Sequence, residues 1–229
     1  GLPERTGTLC VTVPDQVMIE ENQLRFWVDV QHGQKTGFYL DQRRNRQHVG
    51  RLAAGRRVLN CFSSTGGFSV YALANGAESV VSVDSSADAI EFGRQNMRLN
   101  TLDEGKVEWV EGDVFQKLRL FRDQARKFDL VVLDPPKFAP TASQAERAAR
   151  GYKDINLLAF KLLNPGGILA TFSCSGGISP EFFQKIIAGA AVDAGVQASV
   201  LEYLHQGADH PVALSFPEGE YLKGLVCSI

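Results

Sequence analysis

Between Asp129 and Phe138 the chain reads Asp-Leu-Val-Val-Leu-Asp-Pro-Pro-Lys-Phe. An apolar run delivers one carboxylate, Asp134, onto a stretch that two prolines keep stiff. Proline fixes φ, lacks a backbone donor and bars helix. An acid held this way at the end of a buried strand suits gripping a flat polar group such as a nucleobase. A second cluster lies upstream, Asn60-Cys-Phe-Ser-Ser-Thr-Gly-Gly-Phe68. Its Gly66 and Gly67 let the backbone turn tightly and approach a ligand. Asp84 follows 18 residues after Gly66, a spacing that suits a carboxylate accepting both hydroxyls of a ribose. Asp113, flanked by Val114 and Phe115, can accept from an adenine amino group. Each acid read alone is a helix cap. A glycine loop, Asp84 and Asp113 at successive strand ends together read as a nucleoside site.

The pattern narrows which nucleoside. A dinucleotide site needs G-x-G-x-x-G so that a pyrophosphate can approach the amides of a helix N-terminus. Neither that pattern nor a Walker A sequence is present, which disfavours a nicotinamide dehydrogenase. A loop with one glycine pair preceded by hydroxyl residues suits S-adenosyl-L-methionine, which has no phosphate and carries an amino-acid moiety and a sulfonium.

Positioning these residues requires strands that end together. Short apolar runs predict strands at 57–61, 79–84, 107–111, 128–133, 167–172, 197–204 and 222–227. Amphipathic stretches between them predict helices at 67–75, 87–99, 115–126, 144–163 and 180–194. Before these, alternation over 17–30 predicts a β-hairpin, and a further helix is expected at 41–53. The reading is a Rossmann-like α/β fold with a mostly parallel seven-stranded sheet, helices on both faces and an antiparallel final strand. Residues 1–40 read as a tail, hairpin and cofactor lid, and 41–229 as the catalytic domain. In such sheets ligands bind beyond the carboxyl ends of the strands, where strand order reverses.

Composition excludes several classes. The chain has 229 residues, of which 44% are hydrophobic, and a formal net charge of −2. That size suits one large domain, and the charge disfavours a stand-alone nucleic-acid binder. No apolar run is long enough to span a bilayer and no signal peptide is visible, so no membrane partner is expected. The absent initiator Met suggests a piece of a longer protein. Cys10, Cys61, Cys174 and Cys227 form no C-x-x-C pair, which fits reduced thiols in a cytoplasmic protein. No metal site is expected from the histidines.

The motifs together resemble the large-subunit ribosomal RNA (cytosine-C5) methyltransferases, a family of class I S-adenosylmethionine-dependent enzymes. The resemblance runs over 17–229. It rests on Gly33–Arg43, the Asn60–Phe68 loop, Asp134–Phe138, Gly151–Asn156, Phe172-Ser-Cys-Ser-Gly176 and Pro217–Gly224. In that family a PUA domain precedes the catalytic domain and the substrate is ribosomal RNA. The resemblance implies that Gln34 to Asp41 close over the cofactor, with Lys35 and Thr36 near its carboxylate and Phe38 in apolar contact. A plain loop is the alternative reading of those residues. Asn60, Phe62, Ser63, Thr65, Gly66, Gly67, Asp84, Ser85, Asp113, Val114 and Asp134 would complete the cofactor site. Pro135, Lys137, Phe138 and Arg43 would meet the RNA.

The implied chemistry is covalent. A thiolate adds to carbon 6 of cytosine and makes carbon 5 nucleophilic enough to take a methyl group. Cys174 is the candidate nucleophile, flanked by Ser173, Ser175 and Gly176 at a strand's end. Cys61 reads as packing. Asp134 would contact N3 and the amino group of the base. Many such enzymes carry a second Cys after the prolines, and here that position is Lys137. Lys153 with Asn156 and the Asp209-His210-Pro211 loop could touch substrate or only cap and pair. Two alternatives use the same residues: methyl transfer to a nucleobase amine without a cysteine, and a module that binds cofactor or RNA without turnover. A homodimer is compatible with all three.

Overall fold

The computed structural model describes residues 14–31, 33, 37–138 and 144–229. It opens on a β-hairpin of β1 (Val17–Glu21) and β2 (Leu24–Val28). Its two turn residues, Asn22 and Gln23, have φ of 51° and 68°, the positive pair whose twist matches that of the flanking strands. A 3-10 turn, Leu40–Gln42, leads into α1 (Arg43–Arg51), so the helix expected at 41–53 is shorter at both ends. β3 (Arg57–Cys61), α2 (Gly67–Ala74), β4 (Ser79–Asp84) and α3 (Ala87–Leu99) follow. Then come β5 (Val107–Glu111), α4 (Val114–Asp123), β6 (Phe128–Leu133) and α5 (Ala145–Leu162). β7 (Leu163–Ser173), α6 (Pro180–Ala194), β8 (Ser199–Leu204) and β9 (Lys223–Ser228) complete the chain.

The seven-stranded sheet has the order β5-β4-β3-β6-β7-β9-β8. Pairing is parallel from β5 through β7, and β9 runs antiparallel to both β7 and β8. The order reverses between β3 and β6, so the switch-point crevice opens beyond Cys61 and Leu133. β7 begins earlier than the expected 167, because Leu163 to Gly166 are part of the strand. Phe128 pairs with Leu163, and the register shifts between Phe128 and Leu130.

Helices cover both faces, which is why the central strands are apolar on both sides. Leu59, Cys61, Val81, Val83, Val131, Leu133 and Leu169 pack with residues of α4, α5 and α6. Val58, Val80, Leu130, Val132, Ile168 and Ala170 alternate with them and pack with α1, α2 and the hairpin. No helix among the described residues is long and apolar enough to cross a membrane.

The hairpin is pinned to this second layer by polar groups. Asn96 of α3 and Asn100, its C-cap, accept from the backbone N–H groups of Trp27 and Arg25 at 2.7 and 2.8 Å. Asn96 also donates to the Thr65 carbonyl at 3.0 Å, tying β2 to the loop after β3. Glu21 and Arg46 are 4% and 3% exposed. Arg46 donates to both Glu21 oxygens at 2.9 and 2.7 Å, and to the Tyr39 carbonyl at 2.8 Å. Tyr71 donates to Glu21 Oε1 at 3.0 Å.

Losing one member of a buried ion pair leaves an uncompensated charge. Arg46→Met is therefore expected to lower unfolding stability in urea by about 3–5 kcal/mol. Pairing it with Glu21→Gln should recover much of that loss. A single variant within about 0.5 kcal/mol of the parent would show that the pair does not hold the hairpin.

Candidate active site

The loop after β3 is shaped by unusual backbone. Phe62, Ser64 and Gly66 have φ of 57°, 47° and 78°. Two of these are non-glycine residues in the left-handed region, a strained conformation that clusters at functional sites. Asp84 at the end of β4 holds the loop: its Oδ2 accepts from the Ser64 amide at 2.7 Å and its Oδ1 from the Ser86 amide at 3.0 Å. The glycines prove to be packing devices as well. A Cβ on Gly66 would stand 2.9 Å from the Trp109 ring, and one on Gly67 would stand 2.9 Å from Arg46 Cδ.

Beyond the strand ends lies a cavity of about 430 Å³. Phe62, Ser63, Thr65, Gly67, Asp84 and Ser85 border one side, and Phe38 and Asp41 come from the segment before α1. Asp134, Pro135, Lys137 and Cys174 border the other. A second cavity, about 660 Å³, shares Tyr39, Ser64, Thr65, Asp84 and Ser85 and continues along α3. Phe38 is fixed by Phe26, with ring centroids 5.0 Å apart, and by the Arg46 guanidinium 4.4 Å above its ring. Tyr221 donates to Asp41 Oδ2 at 2.8 Å. Asp41 Oδ1 and Ser63 Oγ are buried without a partner among the described residues.

Several expected site residues lie elsewhere. Asn60 does not border either cavity; it donates to Ser69 at 2.8 Å, within the buried chain Asn60–Ser69–Ser82 beneath α2. Asp113 caps α4, its Oδ1 accepting from the Gln116 amide at 2.9 Å, and Val114 packs in the core. Arg43 faces Asp209 at 3.3 Å. Lys153 pairs with Asp193 at 2.8 Å, and Asn156 donates to the Tyr152 carbonyl at 2.7 Å. Phe138 sits behind the cavity among Phe62, Phe115 and Tyr152. Lys35 and Thr36 lie outside the described residues.

Asp134 and Cys174 are brought to the same cavity by their strands. β6 and β7 pair in parallel with Leu133 beside Thr171, so both chains leave the sheet at one edge. Gln42, which sequence reasoning missed, reaches across: its Nε2 donates to Asp134 Oδ1 at 3.0 Å, and its Oε1 accepts from Asn45 at 2.6 Å. The available signal was its place inside the Gly33–Arg43 motif. Tyr39 borders both cavities, and burial, then Asp134 and Cys174, push its phenol up.

A hydroxyl cluster frames Cys174. Ser173 donates to the Tyr152 hydroxyl at 2.9 Å, Tyr152 shares a 2.9 Å bond with Ser175, and the Phe138 amide donates to Ser175 at 3.1 Å. The proline loop and the cysteine loop are thereby joined through Ser175, which Tyr152 holds together with Ser173. Cys61, expected to be packing, is fully buried, and burial pushes its thiol up. Cys227 is buried too, its thiol pushed up to about 11. Tyr152→Phe would remove one partner from each serine. The expected loss is about 1–3 kcal/mol in urea unfolding, and an unchanged midpoint would mean that the cluster contributes nothing.

A family of S-adenosylmethionine-dependent methyltransferases matches residues 9–212. Ribosomal RNA large subunit methyltransferase I of Tolumonas auensis is 58% identical over 228 residues, covering 99% of this chain and 57% of that protein. The protein of the same name in Escherichia coli O1:K1 / APEC is 55% identical over 230 residues, covering 100% and 58%. The chain therefore spans little more than half the length of these curated relatives. Among solved structures, a methyltransferase complexed with SAH is 26% identical with a TM-score of 0.88, covering 97% of this chain and 58% of that one. A SAM-dependent methyltransferase from Streptococcus mutans is 25% identical with a TM-score of 0.87, covering 97% and 57%. The match over 9–212, on a fold shared with an SAH-bound methyltransferase, shows that the chain belongs to the S-adenosylmethionine-dependent methyltransferases.

Proposed function

We propose that this chain is the catalytic part of an enzyme that methylates carbon 5 of a cytosine in large-subunit ribosomal RNA through a covalent Cys174 adduct. The observation that carries this reading is the single cavity bordered by Asp84 and the loop after β3 on one side, and by Asp134 and Cys174 on the other. The names of the relatives at 55% and 58% identity support ribosomal RNA as substrate.

The residues present fit S-adenosylmethionine. Asp41 Oδ1 and Ser63 Oγ are buried polar atoms without partners on the cavity wall, and such atoms cost free energy unless a ligand satisfies them. Asp84 keeps lone pairs for ribose hydroxyls beyond its two amide bonds, and Phe38 gives an apolar wall. Lys35 and Thr36 are assigned to the carboxylate of the amino-acid moiety. When bound, S-adenosylmethionine supplies an electrophilic methyl group.

The chain's own residues do the rest. The Cys174 thiolate adds to carbon 6 of the base, forming a C–S bond and pushing an electron pair toward carbon 5. Asp134, held by Gln42, acts in its protonated form. It gives its proton to N3 as the thiolate adds, which neutralises the negative charge, and accepts from the exocyclic amine. It takes the N3 proton back when the ring is restored. After carbon 5 has been methylated, loss of its proton returns the electron pair, the C–S bond breaks and Cys174 leaves as thiolate. Lys137 is exposed and borders the cavity, which supports its assignment to an RNA phosphate.

Methyl transfer to unmodified ribosomal RNA by the full-length protein, followed by nucleoside mass analysis, tests this. The product should be 5-methylcytidine, Cys174→Ala should give none, and Asp134→Asn should lose about 10²–10⁴-fold in rate. A methylated exocyclic or ring nitrogen, or full activity in Cys174→Ala, would favour amine methylation instead.

A further inference from the structure

Lys223, the first residue of β9, has no assigned part in the chemistry at Cys174. Yet it is 5% exposed, and no carboxylate lies within ion-pair distance among the described residues. A lone buried ammonium is costly unless something nearby repays its desolvation. Its position says what that is. In the β7–β9 pair Lys223 lies opposite Ser173, and its Nζ donates to the Ser175 carbonyl at 2.8 Å. The lysine thus contacts the chain on both sides of Cys174. The other two N–H donors of Nζ have no bonded partner among the described residues.

The charges around Cys174 make this cation matter. Asp134 and Asp41 border the same cavity and oppose a thiolate. Tyr39, Tyr152 and Tyr221 also face the sulfur, and burial, the largest cause in each, pushes their phenols up, so they stay neutral through the working range. Arg46 is neutralised by Glu21. Lys137 is a cation at the rim but is exposed to solvent screening. Burial pushes the Lys223 ammonium down, while the Cys174 sulfur and then Glu220 pull it up, so lysine and cysteine feel one another.

We propose that Lys223 is the positioning residue that keeps Cys174 a thiolate at neutral pH, acting from behind the cavity wall against the field of Asp134 and Asp41. This rests on Cys174 being the nucleophile, but the pairing itself can be tested without cofactor or RNA. A cation beside a cysteine lowers its pKa and raises the fraction of reactive thiolate. Removing the positive charge must therefore move thiolate formation to higher pH.

The experiment is iodoacetamide alkylation of the intact protein across pH, with labelling at Cys174 read by peptide mass. The parent should show a midpoint below the ordinary cysteine value of about 8.5. Lys223→Gln keeps a donor for the Ser175 carbonyl but loses the charge, and its midpoint should rise by about one unit or more. A parent midpoint at or above 8.5, or a Lys223→Gln profile that overlays the parent, would overturn the proposal. The parent measurement stands even if the variant does not fold. If Cys174→Ala methylates RNA normally while the parent midpoint is low, the covalent reaction fails and the Lys223–Cys174 pairing survives.

Discussion

Leu133 lies beside Thr171 in the parallel β6–β7 pair, and that register decides where chemistry can happen in this molecule. Two parallel strands that end almost level must deliver the residues after them to one edge of the sheet. Those residues include Asp134 and Cys174. Shifting the register by one residue would turn every side chain of β7 to the opposite face, exchanging Leu169 and Ala170 between the two cores. Apolar packing on both faces therefore locks the geometry of the site, and neither catalytic candidate has to supply that order itself.

A second layer of constraint comes from polar groups that join distant segments. Arg46 links α1 to the hairpin through Glu21 and to the segment before α1 through the Tyr39 carbonyl. Asn96 links the hairpin to Thr65 in the loop after β3. Ser175 joins the two loops of the reacting side by accepting from the Phe138 amide, and Gln42 joins the 3-10 turn before α1 to Asp134. The cavity is a meeting point of segments that these hydrogen bonds hold to one another. Such preorganisation is what catalysis by positioned charges requires.

The alternation of strands and helices was legible because both faces of the sheet are buried, which writes continuous apolar runs into the sequence. The positions of Asp84, Asp134 and Cys174 followed from strand ends. The features hidden from sequence depend on contacts between residues far apart in the chain. Gln42 and Asp134 are separated by 92 positions, and nothing local marks a glutamine that will be buried against an acid. Gly66 and Gly67 were read as room for a ligand, whereas they also make room for Trp109 and Arg46. Asn60 and Asp113 stand at the predicted strand ends, and their tertiary bonds were equally hidden: Asn60 donates to Ser69 under α2 and Asp113 caps α4. Lys223 falls within the predicted strand 222–227, and only the β7–β9 pairing shows that it lies beside the Cys174 loop.

Covalent catalysis stands or falls on a bond between Cys174 and carbon 6 of a cytosine. Fluorine at carbon 5 cannot leave as a proton, so ribosomal RNA carrying 5-fluorocytidine should arrest the reaction after methylation with the bond intact. The full-length protein, incubated with that RNA and S-adenosylmethionine, digested and mapped by mass spectrometry, should carry a methylated fluorocytidine on the Cys174 peptide. Turnover to 5-methylcytidine on ordinary RNA with no adduct on the fluorinated RNA, or an adduct on another cysteine, would contradict it.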